Sequence, residues 1–360
     1  MMRKNNGKQS AEHVLVTGHN GYIGSVMVPY LLQAGYKVVG LDAGYFRPCT
    51  FVRDSTDISE VNKDIRDLTL RDLEGFDAVI HLAALSNDPI GNLNQRWTRE
   101  INFKASLRLA ELARQAGVRR FLFSSSCIMY GMSKTNVVNE ESPLAPETEY
   151  ARSKVNTEVG LRALASDGFS PTYLRNGTVY GLSPRMRFDT VFNDLTGSAV
   201  STGKVVVYSD GKPWRPVVHV QDVSRAFLTV LQAPVEAVHN QAFNIGANHL
   251  NHQIIELADI VTETVPGCKL EVLARPGADQ RTYKTDFGKF GQTFPQFQFR
   301  WNAKTGAQEL YQAFTSRQLS YELFTDKKFT RLKWLRHMIE GGQLDESLRW
   351  RSLQEAVAHD

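Results

Sequence analysis

The chain has 360 residues, 42% of them apolar and 22% charged, and 42 Lys+Arg against 38 Asp+Glu leave a net charge of +4. That composition supplies a core for two domains or one large one, and the small surplus, with no basic run interleaved with aromatics, argues against nucleic acid as a partner. Cys49, Cys127 and Cys268 are far apart in sequence, which speaks against a disulfide scaffold or a metal-binding ribbon, and no apolar run of about 18 residues marks a membrane span. The first residues are basic and polar, without the apolar segment of a secretory signal. A cytoplasmic protein with no metal site and no membrane contact is expected.

In chain order, His13–Thr17 reads as a buried strand, followed by glycine-rich punctuation and a helix ending near Gly35. Pro29 inside that helix removes a backbone donor and is expected to kink it. Strands are expected at Lys37–Leu41, Ala78–Ala83, Arg120–Ser124 and from Pro171 to Leu174, with helices at Ile101–Ala116 and Tyr150–Ala165 between them. Such alternation predicts right-handed crossovers and a parallel sheet covered on both faces, a doubly wound α/β fold. Beyond Gly181 the order loosens. Helices at Phe188–Val200, Asp222–Leu231 and Ile254–Val265 and a strand at Val205–Tyr208 suit a smaller, mixed region packed directly on the first. From Asp326 the tail carries Lys327, Lys328, Arg331, Lys333 and Arg336, with Phe329, Leu332, Leu335 and Ile339 at helical spacing. A docked apolar stripe under a solvated basic face is expected there.

Between the first strand and first helix stand Gly18, Gly21 and Gly24 in the string Thr17-Gly18-His19-Asn20-Gly21-Tyr22-Ile23-Gly24. Glycines at that place let the backbone turn sharply and approach a pyrophosphate, which the helix N-terminus then meets with free N–H groups. Asp42 closes the second strand, 24 residues after Gly18. Its carboxylate suits adenosine ribose hydroxyls and would repel a 2′-phosphate, favouring NAD over NADP. Asp64 and Ile65 are placed to meet the adenine. Tyr150 and Lys154 sit at i and i+4, on one helical face. A nearby ammonium favours the phenolate of a tyrosine and lowers its pKa toward that of a usable base. The hydroxyls of Ser124-Ser125-Ser126 end the strand at 120–124 and face the same end of the sheet, where ligands of such folds bind.

With these elements in this order, the sequence resembles the extended short-chain dehydrogenase/reductase superfamily, and within it the nucleotide-sugar epimerases and dehydratases, in a UDP-glucose 4-epimerase-like pattern. The matching strings are TGHNGYIG at 17–24, HLAA at 81–84, SSSCIMYG at 124–131, YARSK at 150–154, RNGTVYG at 175–181, RPVVHVQDV at 215–223, FNIG at 243–246 and RPGADQRTY at 275–283. The resemblance implies a Rossmann-type doubly wound parallel sheet over 1–181, a mainly substrate-binding region over 182–315 with segments returning to the sheet, and a helical extension over 316–360. It implies Ser126, Tyr150 and Lys154 as catalytic residues. A cofactor lining of Gly18, Gly21, Tyr22, Ile23, Gly24, Asp42, Asp64, Ile65, Leu82, Ala83, Ala84, Asn102, Ser124, Tyr150 and Lys154 is implied as well. Substrate contacts are implied at Ser86, Ser126, Thr178, Asn193, Arg215 and Arg281, the two arginines holding a sugar-nucleotide diphosphate. Relatives dimerise through the helices here at about 101–116 and 150–165.

Two departures bear on the reaction. Dehydratases of the group carry an Asp-Glu pair directly after the catalytic hydroxyl, where this chain has Cys127 and Ile128. An extended backbone would turn Cys127 away from the side shared by Ser126 and Ile128, as a packing residue. Thr178 stands where many relatives place an asparagine. His81 and His219 are expected as interior residues, not bases. An NAD-dependent epimerase acting at C4 of a nucleotide-diphosphate sugar through a 4-keto intermediate is the leading expectation. A 4-ketoreductase or another NAD(P)-dependent nucleotide-sugar oxidoreductase is the alternative. A hydroxysteroid-type dehydrogenase ranks lower, since Arg215 and Arg281 would have no diphosphate to hold.

Overall fold

The computed structural model describes residues 12–53, 56–86, 88–132, 137–275 and 282–351. Uninterrupted aliphatic runs such as Val14-Leu15-Val16 suit strands covered on both faces, and they form the centre of a seven-stranded sheet. Its strands are β1 (His13–Thr17), β2 (Lys37–Asp42), β3 (Ser59–Asn62), β4 (Ala78–His81), β5 (Arg120–Ser126), β6 (Ser170–Asn176) and β7 (Ala242–Ile245). They lie parallel in the spatial order β7-β6-β5-β4-β1-β2-β3. The chain moves outward from β1 to β3 and then returns to the other side of β1 at β4. The crevice beyond the carboxyl ends of β1 and β4 is therefore the topological switch point, where ligands of open α/β sheets bind.

One face of the sheet packs on helix Ser106–Gln115 through Leu109, Ala110 and Ala113; the other packs on helices Gly24–Gln33 and Val220–Gln232 through Met27, Leu31, Phe227 and Val230. Helix Gly24–Gln33 runs on through Pro29. Arg99–Ala105, at the start of the expected 101–116 helix, is a wider π-type turn. β4 stops at His81, two residues short of expectation, and the helix expected at 188–200 spans Val191–Thr202.

After β6 the chain leaves the main sheet at Gly177, whose missing side chain lets Pro216 O pass close by. Strand Thr178–Tyr180 then joins a second sheet, parallel to Trp214–His219, which pairs antiparallel with Asn251–Gln253. β7 returns from this second region to the edge of the main sheet. A third cluster, centred on Phe188, Phe192, Leu257, Leu310 and Phe314, holds that region together.

The tail differs from expectation. Its helix, Arg331–Glu340, buries Arg331, Trp334, Leu335 and Met338, while Leu332 and Ile339 are only partly covered. Phe329 and Leu335 are buried as expected, but Trp334 and Met338 replace Leu332 and Ile339 on the buried side, and Arg331 joins it instead of the solvated face. Among the described residues no helix is long and apolar enough to cross a membrane.

Candidate active site

A cavity of about 440 Å³ opens at the switch point. Its floor at the β1 end is the glycine loop. Gly18 has φ +75°, and a Cβ there would lie 2.7 Å from Ala83 N; a Cβ on Gly24 would lie 2.4 Å from Gly18 O. Only glycine lets these segments touch, and the N-terminus of helix Gly24–Gln33, which no side chain caps, faces the same cavity with Gly21, Tyr22 and Ile23. An uncapped helix end offers free backbone N–H groups of the kind that phosphate oxygens accept from. Asp42 lines the cavity at the end of β2 and accepts from Gly44 N at 2.7 Å. Burial raises its pKa, opposed by backbone N–H groups of Gly44 and Asn20 and by His19. Ile65 and Asp64 line the same end. Burial would raise Asp64, but bidentate bonds from Arg66, with Nη2 at 2.6 Å, hold it below the usual carboxylate range. A glycine cradle, a helix N-terminus and a half-buried carboxylate in that order fit a dinucleotide with a free ribose 2′-hydroxyl.

Leu82, Ala83, Ala84 and Ser86 form the wall after β4, and Ser124 and Ser126 the wall at the end of β5, which runs two residues beyond the expected Ser124. Asn102 stands behind the first wall, not on it. Its Oδ1 accepts from Leu85 N at 2.8 Å and its Nδ2 donates to Leu85 O at 2.9 Å, so it shapes the loop that forms the wall. Asn193 is likewise outside the cavity lining. It accepts from Gly181 N and donates to Tyr22 Oη and Arg187 O, each at 3.0 Å, which fixes two residues that do line it. Thr178 and Arg215 reach the cavity, the latter with its guanidinium 5.9 Å from the Tyr283 ring centroid. Arg281 lies outside the described residues.

Tyr150 and Lys154 enter from helix Glu149–Leu164, which Thr148 caps by accepting from Ala151 N at 3.1 Å. Lys154 Nζ donates to Ser124 O at 2.7 Å and lies 5.6 Å from the Tyr150 ring centroid. Burial pulls Lys154 down from its ordinary 10.5 to about 7, against the charge of Glu158. Burial likewise pushes Tyr150 up to about 12, aided by Asp88 and opposed by Arg187. Lys154, itself pulled down by burial, is not among the groups that shift the phenol, so the depression expected of it is replaced by one from Arg187, which desolvation exceeds.

Ser126 begins a 3-10 turn, Cys127–Tyr130, and accepts from Ile128 N at 3.3 Å. The segment is a turn, not the extended chain assumed from sequence, yet Cys127 still points inward. Its Sγ donates to Arg175 O at 3.1 Å, burial raises its pKa, and Ile128 is the residue on the cavity wall. His81 is also interior, held between Thr17 Oγ1 at 2.6 Å and Ser106 Oγ at 2.7 Å, while His219 meets Glu309 at 2.8 Å.

Among the side chains on this cavity that sequence reasoning missed are Arg187, Asp189 and Arg331. Arg187 donates to Asp189 Oδ1 at 2.7 Å and through both Nη atoms to Ser86, and Arg331 arrives from the tail. The string Arg185-Met186-Arg187-Phe188-Asp189 alternates charged and apolar residues, a pattern that could have flagged a segment facing a site on one side and the core on the other.

The NAD-dependent epimerase/dehydratase family matches residues 14–246. A UDP-glucose 4-epimerase of Lactobacillus helveticus is 30% identical over 274 residues, covering 69% of this chain and 81% of that protein. The dTDP-D-glucose 4,6-dehydratase of Homo sapiens is 27% identical over 293 residues, covering 75% and 81%. The crystal structure of the Thermus thermophilus UDP-glucose 4-epimerase, a complex with NAD, superposes with a TM-score of 0.72 at 26% identity, covering 84% of this chain and 99% of that one.

Proposed function

The chain belongs to the NAD-dependent epimerase/dehydratase family, and from that premise we propose that it inverts C4 of a nucleotide-diphosphate sugar through a transient 4-keto sugar. NAD, the cofactor of the family, supplies the hydride acceptor and donor that is restored within each turnover. Gly18, Gly21, Tyr22, Ile23, Gly24 and Asp42 would hold it, and Leu82, Ala83 and Ala84 would line its path toward Tyr150. The remaining work falls to the chain's side chains. Tyr150 takes the proton of the C4 hydroxyl, directly or through Ser126, and returns it to the inverted sugar. Lys154 and Arg187 place positive charge near the phenol, and Arg215 offers a guanidinium fork to the substrate diphosphate.

Ile128 carries the choice of reaction. On the resemblance drawn from sequence, the dehydratases place an acid/base pair where this chain has Cys127 and Ile128. Here the thiol is turned into the core beside Arg175, and the group on the cavity wall is a hydrocarbon. Neither can move a proton at C5 or C6, whereas inversion at C4 would need, besides NAD as hydride acceptor and donor, only the proton transfer of Ser126, Tyr150 and Lys154. The epimerase relatives support the same reading. We further propose that two copies pair through helices Ser106–Gln115 and Glu149–Leu164, the helices through which the resemblance implies dimerisation.

Arg215→Glu is expected to raise KM for the nucleotide sugar by roughly 100-fold, the effect of removing one partner of a buried charge pair, with NAD content unchanged. Steady-state kinetics alongside cofactor quantitation checks it. An unchanged KM would remove the diphosphate from this part of the cavity.

A further inference from the structure

The tail from Lys327 onward is fastened to one end of the cavity. Trp334 Nε1 donates to Tyr45 O at 2.7 Å and Trp350 Nε1 to Ala43 O at 2.6 Å. Arg66, the partner of Asp64, donates to Ser347 O at 2.6 Å and Leu348 O at 2.9 Å; the Tyr45 hydroxyl also donates to Leu348 O, and Arg349 pairs with Asp67. The segments caught in this way follow Asp42 and Asp64, the residues of the adenosine end.

Arg331 reaches further in. It is 3% exposed and lies on the cavity wall with its guanidinium 4.5 Å from the Phe46 ring centroid. Nη2 donates to Arg185 O at 2.9 Å and the backbone N to Asp189 Oδ2 at 3.1 Å, but Nη1 has no partner among the described residues. Arg187 is buried beside it. Among the described residues, Asp189 is the carboxylate bonded to both. Burial and the charge of Arg187 pull Arg331 down to about 10. A buried cation group so short of counter-charge is unfavourable unless an anion completes it.

Arg187 is bonded to Ser86 on the wall after β4, and Asn193 ties its backbone to Tyr22 of the glycine loop. Asp189 links Arg187 to Arg331, which lies against Phe46 four residues past Asp42, so the two arginines line the cleft beside the glycine loop. We infer that Arg331, delivered by the C-terminal extension, binds the pyrophosphate of NAD, and that the tail over 327–350 straps the adenosine half of the cofactor into the cleft. The chain thus adds a side-chain clamp to the backbone cradle of the glycine loop. The inference rests on the cofactor and is independent of which sugar carbon reacts.

The test is titration calorimetry of cofactor-depleted wild type, Arg331→Gln and Arg331→Lys with NAD⁺ and with adenosine, and of the NAD-loaded forms with UDP. Arg331→Gln should bind NAD⁺ about 10- to 100-fold more weakly, the range of one charge-assisted contact, with adenosine affinity unchanged. Arg331→Lys should recover part of the loss. Exchange of bound NAD for labelled NAD⁺ should also quicken in Trp350→Ala, which loosens the strap without touching the pyrophosphate. Unchanged NAD⁺ affinity in Arg331→Gln overturns the inference, as does equal weakening of NAD⁺ and adenosine, which would mark a packing role. Weakened UDP with unchanged NAD⁺ overturns it too, by assigning Arg331 to the substrate diphosphate. A wild type that binds no NAD⁺ would instead bring down the cofactor reading itself.

Discussion

Tyr150→Phe is expected to lower turnover of a nucleotide sugar by about 10²–10⁴-fold, the usual worth of a positioned acid/base, while the protein keeps its NAD and its fold. The hydroxyl is the one atom removed, and the ring stays to fill the same place in helix Glu149–Leu164. The protein groups alone leave this phenol near 12, because burial and the Asp88 charge favour the protonated form more than Arg187 opposes it. It becomes a base only as positive charge gathers around it. Lys154, held by Ser124 O, and Arg187, held by Ser86 and Asp189, are the chain's own sources of that charge. With Lys154 near 7, acidification fills its ammonium and alkali removes it. Steady-state kinetics on Tyr150→Phe with equal cofactor content measures the effect. A loss of less than about tenfold would mean that another group moves the proton.

The second large effect is on stability. Glu158→Ala should destabilise the protein by about 3–5 kcal/mol, because it strands a buried guanidinium. Glu158 and Arg175 are 2% and 3% exposed and meet as a fork, with Nη2–Oε2 at 2.7 Å and Nε–Oε1 at 3.0 Å. Arg175 also donates to Tyr130 Oη at 3.0 Å, and Tyr130 to Asn244 Oδ1 at 2.8 Å, so β6, β7 and the turn after β5 hang on one network. Glu158 lies one turn after Lys154 and raises its pKa, so the same substitution also weakens the ammonium near Tyr150. Denaturant unfolding checks the loss. Replacing both partners with hydrocarbons, Glu158→Leu with Arg175→Met, should restore most of the stability, since the cost lies in the unpaired charge. If the double variant is no better than the single one, the pair is not the source.

The sheet and the reacting end of the cavity were legible because their signals are local. The aliphatic run at 14–16, the glycines at 18, 21 and 24, and the four-residue step from Tyr150 to Lys154 each determine geometry within a turn or two. What escaped depends on contacts made across long stretches of chain. Arg331 read as part of a solvated basic face, yet it occupies position i of the stripe completed by Trp334, Leu335 and Met338 at i+3, i+4 and i+7. An arginine in the register of a buried stripe was the available signal. Asn102 and Asn193 were placed on the ligand by resemblance, whereas their amides satisfy the backbone of Leu85 and Gly181 and hold the lining from behind. Cys127 turned inward as expected, although through a 3-10 turn that its sequence does not announce.

C4 inversion with the hydride kept inside the site is tested by incubating the purified protein with a panel of nucleotide-diphosphate sugars in D₂O and following the products by NMR. A C4 epimer is expected, with no deuterium on the ring carbons and no net change in NADH. Deuterium at C5 or C6 with loss of water, or turnover that requires added NADH or NADPH, would contradict it.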